Sequence, residues 1–279
     1  MGLPPVRSLR GSRTWRRNRR LSLDAFSEMR SFYLKYLPQM GADEAWLKGK
    51  RVLEVGPGDS LVIPFWFIAR GASQGTGIDR YMELSPFSAQ SEFYSAAAET
   101  MSPEERARIK DLLPWTPLKS REGRLRYFVT PVEKAAAELD GSFHLIVSYN
   151  ALTYVYDVGE TMASSYRLLA PRGIMVHRIP CGSSGSVAEF GAGPLNQLTF
   201  SQPVWNLMFS NRMATNRQPI SAYLNACAAA GFREIRADTI HFLTDEQLER
   251  ALPTLHPDFR NRARQDLRIY CFALTATKK

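Results

Sequence analysis

The sequence has few cysteines and few histidines, and it has no long apolar run. Its 279 residues include 3 cysteines and 4 histidines. Cys181, Cys227 and Cys271 are far apart and odd in number, which argues against a disulfide framework and against a zinc-binding pattern. No apolar run reaches the ~18 residues that a membrane-spanning helix needs. We therefore expect a cytoplasmic protein with no membrane span and no bound metal.

Acidic residues are absent from the first 20 positions, although the whole chain is basic with a formal net charge of +9. Residues 1–20 carry seven arginines, and subtracting these seven from nine leaves +2 for residues 21–279. Because residues 21–279 are nearly neutral, we expect no nucleic-acid partner. Residues 1–20 are interpreted as a disordered basic tail, with an organellar targeting signal as the alternative.

Beyond the tail, apolar residues switch repeatedly between strand-like and helix-like spacing. Alternating strands and helices form a parallel sheet covered on both faces. We predict an α/β fold with a doubly wound, mostly parallel seven-stranded sheet, helices on both faces and an insertion after the fifth strand. The predicted strands lie near 50–55, 75–79, 125–129, 143–148, 173–179, 232–240 and 267–275. The predicted helices lie at 23–37, between 58 and 71, and at 86–101, 132–139, 159–169, 218–230 and 244–252.

The chain divides into the basic tail 1–20, a helical segment 21–48 and one domain over 49–279, in which 180–217 is the insertion. Residues 102–122 are interpreted as a polar connection. The insertion is rich in Gly, Ser, Pro and Asn, and a connection of this length in a compact domain is typical of a lid or binding loop. Helix 23–37 is expected to pack on the sheet, with a lid over a ligand as the alternative.

Glycines and a carboxylate follow the first two predicted strands. Gly56 and Gly58 lie between a strand and a helix, and Asp79 ends the next strand, 21 residues beyond Gly58. A carboxylate in that position can accept hydrogen bonds from both ribose hydroxyls of a nucleoside. Leu61 occupies the position where a dinucleotide site has a small residue beside the pyrophosphate. The pattern therefore favours a nucleoside ligand without phosphate.

Five segments together resemble motifs of the class I (Rossmann-like) S-adenosylmethionine-dependent methyltransferases. They are VLEVGPG at 52–58, GID at 77–79, PVE at 131–133, FHLIVSYN at 143–150 and YRLLAPRG at 166–173. The resemblance extends from about residue 50 to about residue 275, and it implies a Rossmann-like domain over 49–279 that binds S-adenosyl-L-methionine. A narrower similarity, between His177 and Arg217, is to bacterial methyltransferases that modify sugars or secondary metabolites.

The resemblance also implies which residues bind the cofactor. The cofactor-binding set is Glu54, Gly56, Pro57, Gly58, Asp79, Arg80, Val132, Glu133, Ser148 and Asn150. His177, at the end of the fifth strand, is the candidate general base, and a histidine packed into the sheet is the alternative. The acceptor-binding candidates are Tyr154, Trp205, Asn206, Arg212 and Arg217. Arginines and amides suit a polyhydroxylated or anionic acceptor, whereas a purely structural role would have them cap helices and solvate a surface.

Two segments depart from the family pattern. LTYV stands at 152–155, where the family often reads LEHV, and HRIP stands at 177–180, where the narrower subgroup reads HxID. A His and an Asp that could act as base or metal ligand are thus absent.

The predicted function is methyl transfer to a small or medium-sized acceptor, with O-methylation favoured and a small-molecule acceptor as partner. The main alternative is a catalytically silent protein that binds S-adenosylmethionine as a scaffold. An NAD(P)-dependent dehydrogenase and a nucleic-acid methyltransferase rank below it, and a homodimer is left open.

Overall fold

A computed structural model describes residues 22–82, 84–85, 87–113, 123–183, 192–208 and 214–279. The predicted tail 1–20 and the acceptor candidate Arg212 lie outside these residues. Within them, the strands and helices follow the predicted alternation, and the described chain forms an α/β fold around one seven-stranded sheet.

The sheet is mixed, with the strand order β3-β2-β1-β4-β5-β7-β6. Its strands are β1 Arg51–Val55, β2 Gln74–Asp79, β3 Leu125–Val129, β4 Phe143–Tyr149, β5 Leu169–Pro180, β6 Arg233–Phe242 and β7 Ile269–Thr277. Strands β1 to β5 pair in parallel, whereas β7 pairs antiparallel with both β5 and β6. The seven predicted strands are therefore confirmed, and the sheet is mixed because β7 runs antiparallel to its neighbours β5 and β6.

Helices cover both faces of the sheet. They are α1 Leu23–Tyr36, α2 Glu44–Leu47, α3 Val62–Ala69, α4 Phe87–Glu99, α5 Pro103–Ala107, α6 Val132–Glu138, α7 Val158–Leu168, α8 Gln202–Met208, α9 Ile220–Ala230, α10 Asp245–Ala251, α11 Pro257–Arg260 and α12 Arg264–Arg268. Short 3-10 turns lie at Pro38–Met40, Lys110–Leu112, Leu152–Tyr154, Gly193–Thr199 and Leu252–Thr254. Helices α1, α3 and α4 pack on what we call the first face, and α6, α7 and α9 pack on the second face.

Several sequence interpretations differ from the structure, among them the start of β5, which lies at Leu169 instead of near residue 173. The segment 102–122 was predicted as a connection, but α5 begins in it because Ser102 and Glu105 form a reciprocal capping box. The Ser102 side chain accepts a hydrogen bond from the Glu105 amide at 3.2 Å, and the Ser102 amide donates to the Glu105 carboxylate at 2.9 Å. Strand β7 begins at Ile269 instead of 267, because the short helix α12 ends at Arg268.

Helix α1 lies on the first face and buries Phe26, Phe32, Tyr33 and Tyr36. Ser22 caps its N-terminus by accepting a hydrogen bond from the Ala25 amide at 3.4 Å. This helix joins the same hydrophobic cluster as α3, α4 and the inward residues of the central strands. It packs mainly against α3 and α4 and reaches the sheet at the end of β4, where Phe32 contacts Tyr149.

The stretch between β5 and α9 packs against the chain between β6 and β7. Ala192, Leu195 and Leu198 share a third hydrophobic cluster with residues from 243–267, among them Leu248 and Phe259. The His256 amide donates to the Leu198 carbonyl at 2.9 Å. None of the helices in the described parts of the chain is long and apolar enough to cross a membrane.

Helix α3 approaches strand β2 unusually closely. A Cβ placed on Gly75 would lie 2.7 Å from both Cβ and the carbonyl oxygen of Pro64 in α3. A backbone oxygen cannot move away as a flexible side chain can. Gly75 therefore allows α3 to rest on the sheet.

We predict that Gly75→Ala lowers the free energy of unfolding by about 1–3 kcal/mol, because the added methyl group overpacks this contact. Gly159→Ala is the matched control, since its Cβ would meet only Asp157 Oδ1, at 3.1 Å. The control should stay within about 1 kcal/mol of the wild type, as expected for alanine in a helix. Equilibrium urea unfolding measures both, and equal stabilities of the two variants would contradict the close α3–β2 contact.

Candidate functional site

The central strand β1 lies between β2 and β4, so the direction of the chain across the sheet reverses at this position. Ligands of open α/β sheets bind outside the carboxyl ends of the strands at such a switch point. The last two residues of β1, β2 and β4 and the loops that follow them meet there, and they carry eight of the ten predicted cofactor residues. The candidate site is therefore built from these loops.

The glycine loop after β1 is tied to the carboxylate that ends β2. The Gly58 amide donates to Asp79 Oδ2 at 3.1 Å, and the Tyr127 hydroxyl donates to the same oxygen at 3.4 Å. Gly56 and Gly58 have φ angles of 72° and 67°, a left-handed conformation that glycine adopts without strain. A Cβ on Gly56 would lie 2.3 Å from Cβ of Ala151. The predicted Gly56, Gly58 and Asp79 thus form one unit.

The N-terminus of α3 is already occupied by protein groups. The Leu61 amide donates to the Tyr94 hydroxyl at 2.8 Å, and that hydroxyl donates to Gln90 Oε1 at 2.9 Å. The Leu61 side chain is fully buried and fills the space above Gly77, where a Cβ would lie 2.4 Å from it. A pyrophosphate needs free amides and open space at such a helix end. At Leu61 the amide is already bonded within the protein and the side chain fills the space, which does not suit a pyrophosphate.

Arg80 and Glu133 form an ion pair beside the loop after β3. Arg80 Nη2 lies 2.6 Å from Glu133 Oε1, and Arg80 Nη1 donates to the Tyr154 carbonyl at 3.3 Å. Glu133 Oε1 also accepts from the Tyr156 amide at 3.0 Å, and the Arg80 guanidinium stacks 3.4 Å from the Tyr156 ring centroid. Glu133 Oε2 is buried without a hydrogen-bond partner among the described residues. This oxygen can accept a hydrogen bond from a ligand. Val132, next to Glu133, is buried in the second-face cluster.

Glu54 brings a second buried carboxylate to the site. Its side chain is 3% exposed, and Oε2 has no hydrogen-bond partner within the described residues. Burial, and then the negative charge of Asp79, raise the pKa of Glu54 well above its usual value. A buried carboxylate of this kind is stabilised by a cationic ligand or a hydrogen-bond donor.

His177 and Ser148 face away from Glu54. The Ser148 hydroxyl lies 2.8 Å from His177 Nδ1, and His177 is 1% exposed. Burial lowers the pKa of His177 to about 3, so the imidazole is neutral at physiological pH. Its strand neighbours Met175 and Ile179 belong to the second-face cluster. The role of His177 as a base stays a prediction, and its surroundings are those of a packed histidine.

Arg178, one residue further along β5, faces the first face and joins a polar group that sequence reasoning missed. It donates to Asn150 Oδ1, and its guanidinium lies 4.9 Å from the Tyr149 ring centroid. The Tyr149 hydroxyl donates to Glu28 Oε1 of α1 at 2.5 Å. Side chains alternate between faces along a strand, so the alternation was a signal that only one of His177 and Arg178 can face α1.

Two of the predicted acceptor residues, Trp205 and Arg217, are brought together, but as a buried pair between β5 and α9. Trp205 is 2% exposed, and its indole Nε1 donates to the Thr215 carbonyl at 3.2 Å. Arg217 is 3% exposed and stacks over the rings of Trp205 and Phe259, with its guanidinium 5.2 Å and 4.7 Å from their centroids. Asn206 is exposed and accepts a hydrogen bond from Gln202 at 2.7 Å. Of these candidates, Tyr154 is the one that contacts a predicted cofactor residue, Arg80.

Metal chemistry finds no support in the described part of the chain. No group of three or more His, Cys, Asp or Glu side chains in it could hold a metal ion. The three cysteines are free thiols.

A family model described as "Methyltransferase domain" matches residues 24–253, which is most of the chain. The match includes α1, the glycine loop, Asp79 and the stretch between β5 and α9. No curated protein matches the sequence.

Solved structures share the fold at low sequence identity. A protein from Galdieria sulphuraria, provisionally assigned as a sarcosine dimethylglycine methyltransferase, is 11% identical, with a TM-score of 0.50 and coverage of 92% of this chain and 87% of that chain. An S-adenosylmethionine-dependent methyltransferase from Mesorhizobium loti is 16% identical, with a TM-score of 0.44 and coverage of 86% and 100%. Phosphoethanolamine N-methyltransferase 2 from Haemonchus contortus, solved with S-adenosyl-L-methionine, is 15% identical, with a TM-score of 0.47. The match to this last protein covers 88% of the present chain and about half, 51%, of that chain.

The buried state of His177 predicts how stability changes with pH. An unfolded histidine titrates near pH 6.5 and the folded one near pH 3, so the unfolded state binds more protons between these values. The stabilisation is complete above about pH 6.5 and is lost as the pH falls towards 3. Between pH 7 and pH 5 we expect the wild type to lose about 2 kcal/mol more than His177→Gln. Urea unfolding at both pH values measures this difference, and an identical pH dependence of the two proteins would contradict the burial of His177.

Proposed function

The chain belongs to the S-adenosylmethionine-dependent methyltransferases, as its family match shows, and we propose that it methylates a small or medium-sized acceptor, with O-methylation favoured. The family match confirms the enzyme class and the cofactor that the sequence motifs predict. The methylated atom and the acceptor are the parts that we propose.

Two features support the assignment of the cofactor to this site: the glycine loop, and the N-terminus of α3, where Leu61 is bonded to Tyr94. Asp79 can accept hydrogen bonds from a ribose, while Leu61 and Tyr94 fill the position that a pyrophosphate would need. S-adenosylmethionine has a ribose and no phosphate, so it suits this loop and a dinucleotide does not. The unpartnered oxygens of Glu54 and Glu133 suit its amino groups.

We place the acceptor beside Tyr149, Glu28 and Arg178. These side chains lie on the first face at the carboxyl ends of β4 and β5, next to the strand that bears Glu54. Bound S-adenosylmethionine supplies a methyl group that its sulfonium already activates. The protein then has to align the acceptor with that methyl group and remove a proton.

The Tyr149–Glu28 hydrogen bond supports O-methylation. Burial and the bond to Glu28 raise the pKa of Tyr149, so its phenol stays protonated near neutral pH. A hydroxyl acceptor bonded to the phenol oxygen can pass its proton to Tyr149 while Tyr149 passes its own proton to Glu28. A neutral amine acceptor has less need of such a pair, because its lone pair is free to attack.

Cofactor binding tests the assignment of the site. Isothermal titration calorimetry with S-adenosylhomocysteine should give a dissociation constant on the order of micromolar for the wild type, and Asp79→Ala should weaken it about 10- to 100-fold through lost charged hydrogen bonds. Asp140→Ala is the control, because that carboxylate pairs with Arg51 at the start of β1, at the opposite end of the strands. This substitution should leave the affinity unchanged. Binding of NADH with no binding of S-adenosylhomocysteine would instead support a dehydrogenase.

Measurements of methyl-transfer turnover distinguish the two candidate general bases, Tyr149 and His177. Acceptors are found by supplying methyl-labelled S-adenosylmethionine with a panel of hydroxyl, amine and thiol compounds. For a hydroxyl acceptor, Tyr149→Phe should lower kcat about 10²-fold or more, the usual contribution of a general base, while affinity for S-adenosylhomocysteine stays within about twofold. If His177 is the base, His177→Gln causes the loss instead. Tight cofactor binding without turnover of any compound would support the silent scaffold.

A further inference from the structure

Arg178 is a half-buried cation without a counter-ion among the described residues. Within them, its side chain donates one hydrogen bond, to Asn150 Oδ1, and forms no ion pair. Arg80, which is also half-buried, is paired with Glu133 at 2.6 Å. A charge that is partly removed from water is stabilised by an opposite charge. Arg178 can therefore take an anionic ligand as its counter-ion.

Asn150 holds one edge of the guanidinium in place. Its backbone amide donates to the Arg178 carbonyl at 3.0 Å, and its side-chain oxygen accepts the bond from Arg178 Nη1. Asn150 has a φ angle of 63°, in the left-handed region that asparagine adopts more readily than most residues. A guanidinium carries five N–H donors, so the bond to Asn150 leaves others free for a ligand.

The guanidinium lies beside the phenol that we propose as the proton acceptor. Arg178 and Tyr149 are register partners in β5 and β4, and the guanidinium carbon lies over the Tyr149 ring at 4.9 Å from its centroid. The Tyr149 hydroxyl donates to Glu28 Oε1 of α1 at 2.5 Å. An acceptor whose hydroxyl contacts this phenol therefore has groups a few bonds away within reach of Arg178.

Arg178 and Glu28 place one positive and one negative group around this position. They are not paired with each other, and Glu28 instead accepts the hydrogen bond from Tyr149. Burial raises the pKa of Cys271 in the neighbouring strand β7, whereas the Arg178 charge lowers it and the Glu28 charge raises it. Each charge is therefore available for a role of its own, Glu28 for a proton and Arg178 for an anion.

We propose that Arg178 binds an oxyanion of the acceptor, a carboxylate or a phosphate, next to the hydroxyl that is methylated. The planar guanidinium can donate two parallel hydrogen bonds to either group. A neutral acceptor would leave Arg178 without a counter-ion. This inference rests on the proposed function, and it narrows the acceptor to hydroxy acids and hydroxyl-bearing phosphate esters.

An arginine without an ion pair would not by itself carry this assignment. Arg217 also has none within the described ranges, but it donates to the carbonyls of Gln197 and Phe200 and to the side chain of Gln202. Its donors are thus used inside the protein. Arg178 differs because it has a single neutral partner and lies where β4 and β5 end, beside the proposed acceptor.

Inorganic phosphate tests the anion site without knowledge of the acceptor. The melting temperature of the full chain is followed as phosphate replaces chloride at constant ionic strength, which gives an apparent dissociation constant. That constant should be about tenfold or more higher in Arg178→Gln than in the wild type, because the charged hydrogen bonds are lost. Arg178→Lys keeps the charge without the planar fork and should recover part of the affinity.

The control for the phosphate titration is Arg233→Gln. Arg233 is an exposed arginine at the start of β6, so its substitution removes the same charge at the edge of the sheet. This variant should respond to phosphate as the wild type does. The comparison therefore separates specific binding from the general stabilisation that phosphate gives to folded proteins.

Matched acceptors test the substrate class. The pairs are lactate with lactamide, 3-hydroxybenzoate with 3-hydroxybenzamide, and glycerol 3-phosphate with glycerol, each supplied with methyl-labelled S-adenosylmethionine. The wild type should methylate charged members with a kcat/KM about tenfold or more above that of their neutral partners. Arg178→Gln should raise KM for a charged member about 10- to 100-fold and leave the neutral member unchanged. The first two pairs report on a carboxylate and the third on a phosphate.

The outcomes are separable. Equal phosphate affinity in the wild type and Arg178→Gln, or equal turnover of charged and neutral members, would overturn the proposed role of Arg178. A wild type that methylates neutral hydroxyl compounds alone would keep the proposed function and still refute this inference. A wild type that fails to bind S-adenosylhomocysteine would refute the proposed function. The phosphate comparison decides the role of Arg178 even if no compound of the panel is methylated.

Discussion

Gly75 and Gly77 leave one face of β2 without side chains at these two positions, and α3 with its preceding loop packs into that space. Pro64 rests on Gly75, and Leu61 and Pro57 rest on Gly77. This contact holds the loop after β1 close enough for the Gly58 amide to reach Asp79. It also buries Leu61 at the N-terminus of α3. The packing of α3 on the sheet and the position of the glycine loop therefore depend on the same close contact.

The alternation of side chains along the strands then divides the polar residues between two environments. Glu54, Tyr149 and Arg178 face α1, where charged and hydrogen-bonding groups converge. Ser148 and His177 face the second hydrophobic cluster, where burial keeps the imidazole neutral. Residues adjacent in sequence thus lie in different environments, because successive side chains of a strand point to opposite faces of the sheet.

Polar and aromatic residues between β5 and α9 have a different physical role. Arg217 donates to the carbonyls of Gln197 and Phe200 at 3.1 Å and 2.7 Å, and its own carbonyl accepts from Arg262 at 2.8 Å. Burial lowers the pKa of Arg217 to about 10, which leaves it charged, and these bonds compensate for its desolvation. Arg217 therefore joins two distant stretches of chain. Among the described residues, Glu54 Oε2 and Glu133 Oε2 have no such partner, in contrast to this structural cluster.

Much of the fold, and the glycine loop that is bonded to Asp79, followed from the sequence alone. Strand and helix periods, the turn at Gly56 and Gly58 and the spacing to Asp79 are local features, so neighbouring residues suffice to determine them. The tertiary structure decided which of His177 and Arg178 faces α1, and that Glu28 of α1 accepts a hydrogen bond from Tyr149. It also decided that Trp205 and Arg217 are buried. These outcomes depend on strand register and on packing between segments far apart in sequence, and no local pattern encodes that information.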